Sequence, residues 1–241
     1  MAVSPVEQFR IESLVPLRVG HVDFSYTNSA LFMTVAVCLA SALLVLSVRR
    51  RAMVPGRWQS VAELLYEGTA TMIRDTVGSE GRKYFPFIFS LFVFLLFGNL
   101  IGLIPYTFTY TSHIIVTAAL ALTVFVGVTV IGFVRHGTHY FRMFLPEGAP
   151  KLAAPILIPI EIISYLSRPF SLSVRLAANM LVGHVLLQLL GGFVVSMGVL
   201  GILPISFMSA IFLLEFLVAA LQAYVFTILS CIYLNDAIHM H

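Results

Sequence analysis

Long runs of apolar residues dominate the chain, and shorter polar segments separate them. A helix needs roughly 20 mostly apolar residues to cross the hydrocarbon core of a bilayer. The pattern predicts five such helices, at residues 31–48, 84–105, 112–134, 152–190 and 204–235. At about 1.5 Å per residue, the last two are too long to stand upright in a layer about 30 Å thick. We therefore expect an all-α polytopic membrane protein whose last two helices are strongly tilted.

Residues 58–77 have an amphipathic pattern instead of an apolar one. Val61, Leu65 and Met72 fall on one side of a helical projection, while Glu63 and Glu67 lie largely elsewhere. This pattern favours an interfacial helix that lies on the membrane surface. An ordinary soluble helical loop is the alternative.

The composition agrees with a membrane protein and excludes several other classes. Hydrophobic residues make up 59% of the 241 residues and charged residues only 10%, against about 25% charged in a typical soluble domain. A soluble globular protein, a disordered chain and a nucleic-acid-binding module are excluded on this ground. Cys38 and Cys231 lie in apolar stretches, where a thiol behaves as a small hydrophobe, so no disulfide framework is predicted. The whole chain is expected to form one membrane domain, residues 1–241.

The lysines and arginines predict the orientation of the helices. Cytoplasmic connections are enriched in both residues, and here they cluster after the first and third helices. The residues concerned are Arg49, Arg50, Arg51, Arg57, Arg74, Arg82, Lys83, Arg135, Arg142 and Lys151. The connections 106–111 and 191–204 contain none, and the second of these is marked as a helix break by Gly191, Gly192, Gly198, Gly201 and Pro204. We expect the N-terminal tail, residues 1–28, outside and the C-terminus inside.

Four ionisable side chains interrupt the last two apolar stretches. An ionised group at the membrane centre costs at least about 2.5–3.5 kcal/mol on insertion scales, so such a group is functional by default. Glu161, Arg168 and Arg175 are spaced by seven residues, which turns a helix only about 20° short of two full turns. They therefore share one side of the fourth helix, and Glu215 lies on the fifth.

Uncharged polar residues extend this pattern toward both ends of the helix. Ser164, Ser167 and Ser171 decorate the same half of the fourth helix as the charges, and Asn179 shares the face of Arg175. His184 is nine residues beyond Arg175 and points to the opposite face.

The fifth helix runs in the opposite direction and carries its own polar pair. Glu215 and Gln222 are seven residues apart and share a face. If Gln222 lies at the depth of Arg175, then Glu215 lies near the depth of His184. Two polar clusters result, one open to each side of the membrane and separated by Arg175, which is the pattern of two offset half-channels.

The residue types suit proton transfer. Histidine and glutamate titrate near 6.5 and 4.3 when unperturbed, so a His184/Glu215 pair can load and release a proton. Arginine effectively never gives up its proton, so Arg175 between the two clusters would block direct leakage. No acidic partner for Arg175 is evident at its level, which suggests a counter-charge on another subunit.

Structural roles remain open for several of these residues. Arg168 can extend toward the interface or pair with Glu161, and either residue can be purely structural. The alternative for Arg175 is a purely structural ion pair, and the alternative for His184 is a role in packing alone. His136 with His139, and His239 with His241, lack a third ligand, so no metal site is predicted. No catalytic triad, phosphate-binding loop or cofactor motif is visible.

Three segments resemble subunit a of F-type ATP synthases, in a version similar to the alphaproteobacterial and mitochondrial members. They are SRPFSLSVRLAANMLVGH at 167–184, FGNLIGLIP at 97–105, and the stretch from Glu215 through LQAYVF to Tyr233. The resemblance covers nearly the whole chain. The arginine and asparagine helix together with the glutamine helix makes it highly specific.

The resemblance implies a role for each polar residue. Arg175 faces a buried carboxylate of the rotating c-ring, and Asn179 and Gln222 flank it. His184 and Glu215 line the outer half-channel. The inner half-channel is lined by Glu161, Ser164, Ser167 and Ser171. Many bacterial members carry an acid at the position of His184 and a histidine at the position of Glu215. The exchanged arrangement of this chain is the one usual in mitochondrial-type members.

The resemblance also implies partners and a location. The chain is a stator subunit without catalytic residues or cofactors of its own, in the inner membrane of a bacterium. It works with the c-ring, with b-type stator subunits, with membrane lipid and, indirectly, with the soluble catalytic head. A stand-alone ion-coupled secondary transporter is the alternative, but neither inverted repeats nor a substrate pocket is visible. An intramembrane enzyme lacks a nucleophile or a metal set.

Overall fold

The computed structural model describes residues 10–16, 18–19, 22–23, 25–49, 55–104, 107–137, 140, 154–197 and 201–239. Six α-helices dominate these residues: α1 (Asn28–Arg49), α2 (Arg57–Val77), α3 (Phe85–Gly102), α4 (Ile114–His136), α5 (Ala154–Met197) and α6 (Ile202–Ile238). Two 3₁₀ turns, Ser79–Tyr84 and Tyr110–Ser112, precede α3 and α4.

Short strands form before α1, where the sequence predicted only a tail. β1 (Ser13–Val15) pairs antiparallel with β4 (Tyr26–Thr27), and β2 (Arg18–Val19) pairs antiparallel with β3 (Val22–Asp23). Asn28 joins this segment to α1, because its side-chain amide donates to the Arg10 carbonyl at 3.0 Å.

Five of the described helical segments are long and apolar enough to cross a membrane. Four of them correspond to α1, α4, α5 and α6, and the fifth is the 3₁₀ turn at Ser79 together with α3. The predicted all-α membrane class with five such helices is therefore confirmed. Helix α5, at 44 residues, is twice the length of α1, at 22 residues.

Helix α6 lies at the centre of the packing. It contacts α2, α3, α4 and α5, and one buried side along its length carries small and polar residues as well as apolar ones. These include Ala219, Ala223, Phe226, Thr227, Ser230 and Leu234, each at most 2% exposed. Small residues let helix backbones approach closely, which is how helices associate where lipid supplies no hydrophobic driving force.

The connection between α3 and α4 folds inward against the helices. Gly98 and Gly102 of α3 leave room for it, since a Cβ at Gly98 would overlap the ring of Tyr110 and one at Gly102 would lie 2.7 Å from a methyl carbon of Thr109. Burial raises the pKa of the Tyr110 hydroxyl well above its usual value, so the group stays a neutral donor to the Phe94 carbonyl at 3.3 Å.

Helix α2 buries one of its sides against the other helices. Ala62, Thr69 and Ile73 are buried with Met72, whereas Val61 is 44% exposed. Helix α2 contacts α1, α3 and α6. Whether α2 lies in the interface or in water stays a prediction.

The predicted break between the last two helices was too broad. Gly191 and Gly192 lie inside α5, which ends at Met197, and Pro204 lies in the first turn of α6. Glycine and proline are tolerated in such helices because lipid offers the backbone no other hydrogen-bond partner, and proline near a helix start leaves no donor unsatisfied. Gly198 lies outside the described residues, as do Arg50, Arg51, Arg142 and Lys151, on which the predicted orientation partly depends.

Candidate functional site

His184 on α5 and Glu215 on α6 form a pair between the two helices. The Nδ1 atom of His184 lies 3.0 Å from Oε1 of Glu215. Glu215 is 5% exposed, and His184 is half-buried. The sequence places Glu215 near the depth of His184 if Gln222 lies at the depth of Arg175, and in the structure the two side chains are in contact.

Gly183 provides the space that the Glu215 carboxyl group occupies. A Cβ at Gly183 would overlap Oε1 of Glu215 and lie 2.8 Å from its carboxyl carbon. Any larger residue at this position would therefore displace the carboxylate from His184. Gly191, two turns further along α5, has nothing within 4 Å of the equivalent position.

A second contact joins the same two helices seven residues further along α6, at Gln222. The side-chain amide of Asn179 donates to Oε1 of Gln222 at 2.9 Å. Gln222 is 4% exposed, while Asn179 lies on the exposed side of α5. Asn99 of α3 packs behind this level, where its amide donates to the Ala219 carbonyl of α6 at 3.1 Å. The polar residues of α6 are thus held in register with α5 and α3.

Arg175 lies on the exposed side of α5, although it is in the middle of a membrane-spanning helix. Within the described part of the chain, its guanidinium forms no hydrogen bond or ion pair. Apolar side chains of the same two helices are exposed as well, among them Phe170 at 69%, Val182 at 63% and Leu217 at 55%. An unpaired cation on an apolar surface of this kind is costly in lipid.

Arg168 pairs with Asp236, not with Glu161 as considered from the sequence. Its Nη1 atom donates to Oδ2 of Asp236 at 2.9 Å, and its guanidinium carbon lies 5.5 and 5.2 Å from the rings of Tyr165 and Tyr233. The physical reason is distance, because seven residues separate Arg168 from Glu161 by about 10.5 Å along the helix. The end of α6 brings Asp236 closer.

The hydroxyl groups near Arg168 form a short network. Tyr165 lies 2.9 Å from the Tyr140 hydroxyl and 2.7 Å from the Thr129 hydroxyl, oxygen to oxygen. This network joins α4 to α5 at the same end of the site as the Arg168 pair.

The remaining predicted residues lie on the open side of α5. Ser164, Ser167 and Ser171 are exposed, and Glu161 is partly exposed. The Ser167 hydroxyl donates to the carbonyl of Ser164 at 2.7 Å. These side chains continue the side of α5 on which Arg175 lies, and the described residues bring none of them into contact with His184 or Glu215.

The histidine pairs considered for metal binding have other partners. His136 Nε2 lies 3.2 Å from the Ile238 carbonyl, and His239 Nδ1 lies 2.8 Å from Oδ1 of Asn235. Their predicted partners, His139 and His241, lie outside the described residues. No group of three potential ligands occurs in the described ranges.

Sequence reasoning missed several residues of this site. Thr109 and the carbonyl of Gly102 contact His184, although more than 70 positions separate them from it. Asn99 was visible within FGNLIGLIP as an amide in an apolar helix, but nothing indicated its partner. Asp236 was visible as an acid near the end of the last apolar stretch.

Comparisons with known proteins all indicate one family, and they cover nearly the whole chain. The family model described as ATP synthase A chain matches residues 30–235. The chain is 66% identical over 245 residues to ATP synthase subunit a of Paramagnetospirillum magneticum, with 99% of each chain covered. It is 62% identical over 239 residues to ATP synthase subunit a of Rhodospirillum rubrum, again with 99% of each covered.

The Arg168–Asp236 pair predicts an energetic coupling between α5 and α6. We expect Arg168→Ala and Asp236→Ala each to lower the thermal midpoint of the solubilised protein by a few degrees, since a partly exposed ion pair contributes about 1 kcal/mol or less. The double variant should lose little more than either single variant. Glu161→Ala is the matched control, and its effect should add to that of Arg168→Ala. Additive losses for Arg168 and Asp236 would contradict the pairing.

Proposed function

We propose a residue-by-residue proton path for this chain, which belongs to the ATP synthase A chain family. Members of this family are non-catalytic stator subunits of the membrane sector, and the chain acts in proton translocation. The resemblance recognised at residues 97–105, 167–184 and 215–233 is confirmed. A stand-alone secondary transporter is not favoured.

One observation carries the proposed path: Arg175 is exposed in the middle of α5 without a counter-charge from the described residues. A fixed cation in this position attracts a carboxylate, and the residues that the structure describes offer none at that level. We assign the missing carboxylate to the c-ring, which would face the exposed side of α5. The exposed apolar side chains of α5 and α6 would then contact the ring and lipid.

The outer half-channel is formed by the contacts between α5 and α6. His184 and Glu215, 3.0 Å apart, take up a proton from the outer side. Asn179 and Gln222, joined by a 2.9 Å hydrogen bond, lie between that pair and Arg175. They supply polar atoms along the route to the ring carboxylate.

The inner half-channel follows the open side of α5 on the other side of Arg175. Ser164, Ser167 and Ser171 line it, and Glu161 lies near its opening. The exposure of these side chains supports this assignment. The Arg168–Asp236 pair lies at the same end and holds α5 against the end of α6.

Proton transfer proceeds in steps that keep Arg175 charged throughout. A proton from the outer half-channel forms an O–H bond with a ring carboxylate and cancels its attraction to Arg175. The neutral site then moves into lipid. A charged carboxylate could not do so, because its free-energy cost in lipid is much higher. The next ring site, which has released its proton into the inner half-channel, is attracted to Arg175 in turn. Each proton that crosses 100 mV supplies about 2.3 kcal/mol, so several are needed for each ATP.

The location and partners follow from the same assignment. We place the chain in the bacterial inner membrane with residues 1–28 outside and the C-terminus in the cytoplasm. Its partners are the c-ring, b-type stator subunits, lipid and, indirectly, the soluble catalytic head.

Gly183→Ala tests the outer pair. The added methyl group displaces the Glu215 carboxylate, and an ångström of misplacement can reduce a transfer rate up to about 100-fold. We expect ATP-driven proton pumping in inverted vesicles to fall roughly tenfold or more. Gly191→Ala, which meets nothing within 4 Å, is the matched control and should pump normally. Equal pumping by both variants would contradict the proposal, because it would show that the Glu215 carboxylate is not part of the proton path.

Thiol accessibility tests whether the two half-channels open on opposite sides. Cys38 and Cys231 are first replaced by serine and alanine, and single cysteines are then introduced at Ser167, Gln188 or Leu189. Gln188 follows His184 by four residues on α5 and represents the outer side of Arg175. A membrane-impermeant thiol reagent should label Ser167→Cys from the cytoplasmic side only and Gln188→Cys from the outer side only. Leu189→Cys, whose native side chain is 49% exposed and apolar, is the lipid-facing control and should react from neither side. Labelling of either polar position from both sides would indicate a continuous pore and overturn the proposal.

A further inference from the structure

The connection between α3 and α4 encloses the outer end of the His184–Glu215 pair. Three of its described residues carry buried hydroxyl side chains: Thr109 at 2%, Thr111 at 0% and Ser112 at 7% exposure. Buried hydroxyl groups in an apolar bundle are costly unless they have partners. Thr109 has two, and one of them is the imidazole ring of His184.

Thr109 and Gly102 meet His184 at the same ring nitrogen. The Nε2 atom lies 2.7 Å from the Gly102 carbonyl oxygen and 2.9 Å from Oγ1 of Thr109. The Thr109 hydroxyl donates its own proton to the Gly102 carbonyl at 3.1 Å. The absence of a side chain at Gly102 allows this approach, because a Cβ there would lie 3.0 Å from Oγ1 of Thr109.

These contacts determine which nitrogen can exchange a proton. A carbonyl oxygen only accepts hydrogen bonds, so Nε2 of His184 must carry a hydrogen to bond Gly102. The Thr109 hydroxyl directs its own hydrogen at the same carbonyl, so its oxygen accepts a hydrogen bond from Nε2. The other nitrogen, Nδ1, lies 3.0 Å from Oε1 of Glu215 and 3.0 Å from the Met180 carbonyl oxygen. By the same reasoning Nδ1 carries a hydrogen when it bonds Met180, so both ring nitrogens are donors in the charged imidazole. Among these neighbours only the Glu215 carboxylate can take up a proton, and it lies beside Nδ1.

We propose that Thr109 is a positioning residue that, with the Gly102 carbonyl, fixes His184 as the Nε2–H donor, so that the transferable proton is carried on Nδ1. The inference rests on the proposed function and deepens it, because it states through which atom the outer pair works. In the transfer step the Nδ1–H bond breaks and an O–H bond forms at Oε1 of Glu215. A neutral imidazole that keeps its Nε2–H remains, and the reverse step restores the starting state.

The role of Thr109 follows from what its loss would do. Without an acceptor at Oγ1, Nε2 keeps the Gly102 carbonyl but loses its contact with Thr109, so this side of the ring is held less firmly and His184 can rotate. Nδ1 would then no longer face Glu215 in a fixed geometry. A serine keeps the hydroxyl oxygen, whereas a valine keeps only the shape.

The test compares four variants in the assembled complex, with assembly verified by co-purification. Thr109→Val should reduce ATP synthesis roughly tenfold, since a hydrogen bond to a charged group is lost. It should also move the midpoint of the dependence on outer pH by about one unit. Thr109→Ser should stay within about twofold of the unmodified chain and keep its pH midpoint. Thr111→Val is the matched control, because the Thr111 hydroxyl has no hydrogen-bond partner in the described ranges. His184→Gln reports on the pair itself.

The outcomes separate this inference from the proposed path. Normal synthesis and an unchanged pH midpoint in Thr109→Val, with synthesis lost in His184→Gln, would overturn the role of Thr109 and leave the path intact. Equal losses in Thr109→Val and Thr111→Val, or no rescue by Thr109→Ser, would show that the connection only packs. Normal synthesis in His184→Gln would overturn the path and the inference together.

Discussion

A guanidinium that cannot lose its proton lies in the middle of an apolar helix, and the rest of the structure depends on how that charge is accommodated. Arg175 is exposed on α5, and the described residues offer it no acid. Because an isolated charge in lipid is costly, its location implies a surface that meets a complementary carboxylate. The other acids of the two helices have partners or positions elsewhere. Glu215 lies with His184, and Asp236 lies with Arg168.

The helices around α6 place the polar groups near His184 and the side chain of Arg175 in different surroundings. Asn99 joins α3 to α6 near the level of Gln222, and Asn179 joins α5 to the same glutamine. Small residues allow these backbones to approach closely, and the inward-folded α3–α4 connection covers the His184 end. The polar groups at that end therefore point into the bundle, while Arg175 points out of it. This division is what two offset half-channels require and what a continuous pore would lack.

Periodicity predicted the parts of the site that depend on a single helix or on two helices of opposite direction. The spacing of Glu215 and Gln222 placed Glu215 near the depth of His184 once Gln222 was set at the depth of Arg175, whereas the contact of Gln222 with Asn179 was not predicted. Periodicity could not predict contacts that depend on how distant segments meet. Arg168 found Asp236 through the end of α6, and Thr109 reached His184 through a connection that glycines of α3 admit. Such contacts are set by backbone approach, which a helical projection does not contain.

The most direct test of the account uses Arg175→Ala in inverted vesicles, with an intact complex verified by co-purification. The account predicts loss of ATP-driven proton pumping to background. It also predicts a faster passive proton leak once the soluble head is removed, because no fixed cation then separates the half-channels. Normal pumping with an unchanged leak would contradict it, since Arg175 would then be a structural residue outside the proton path.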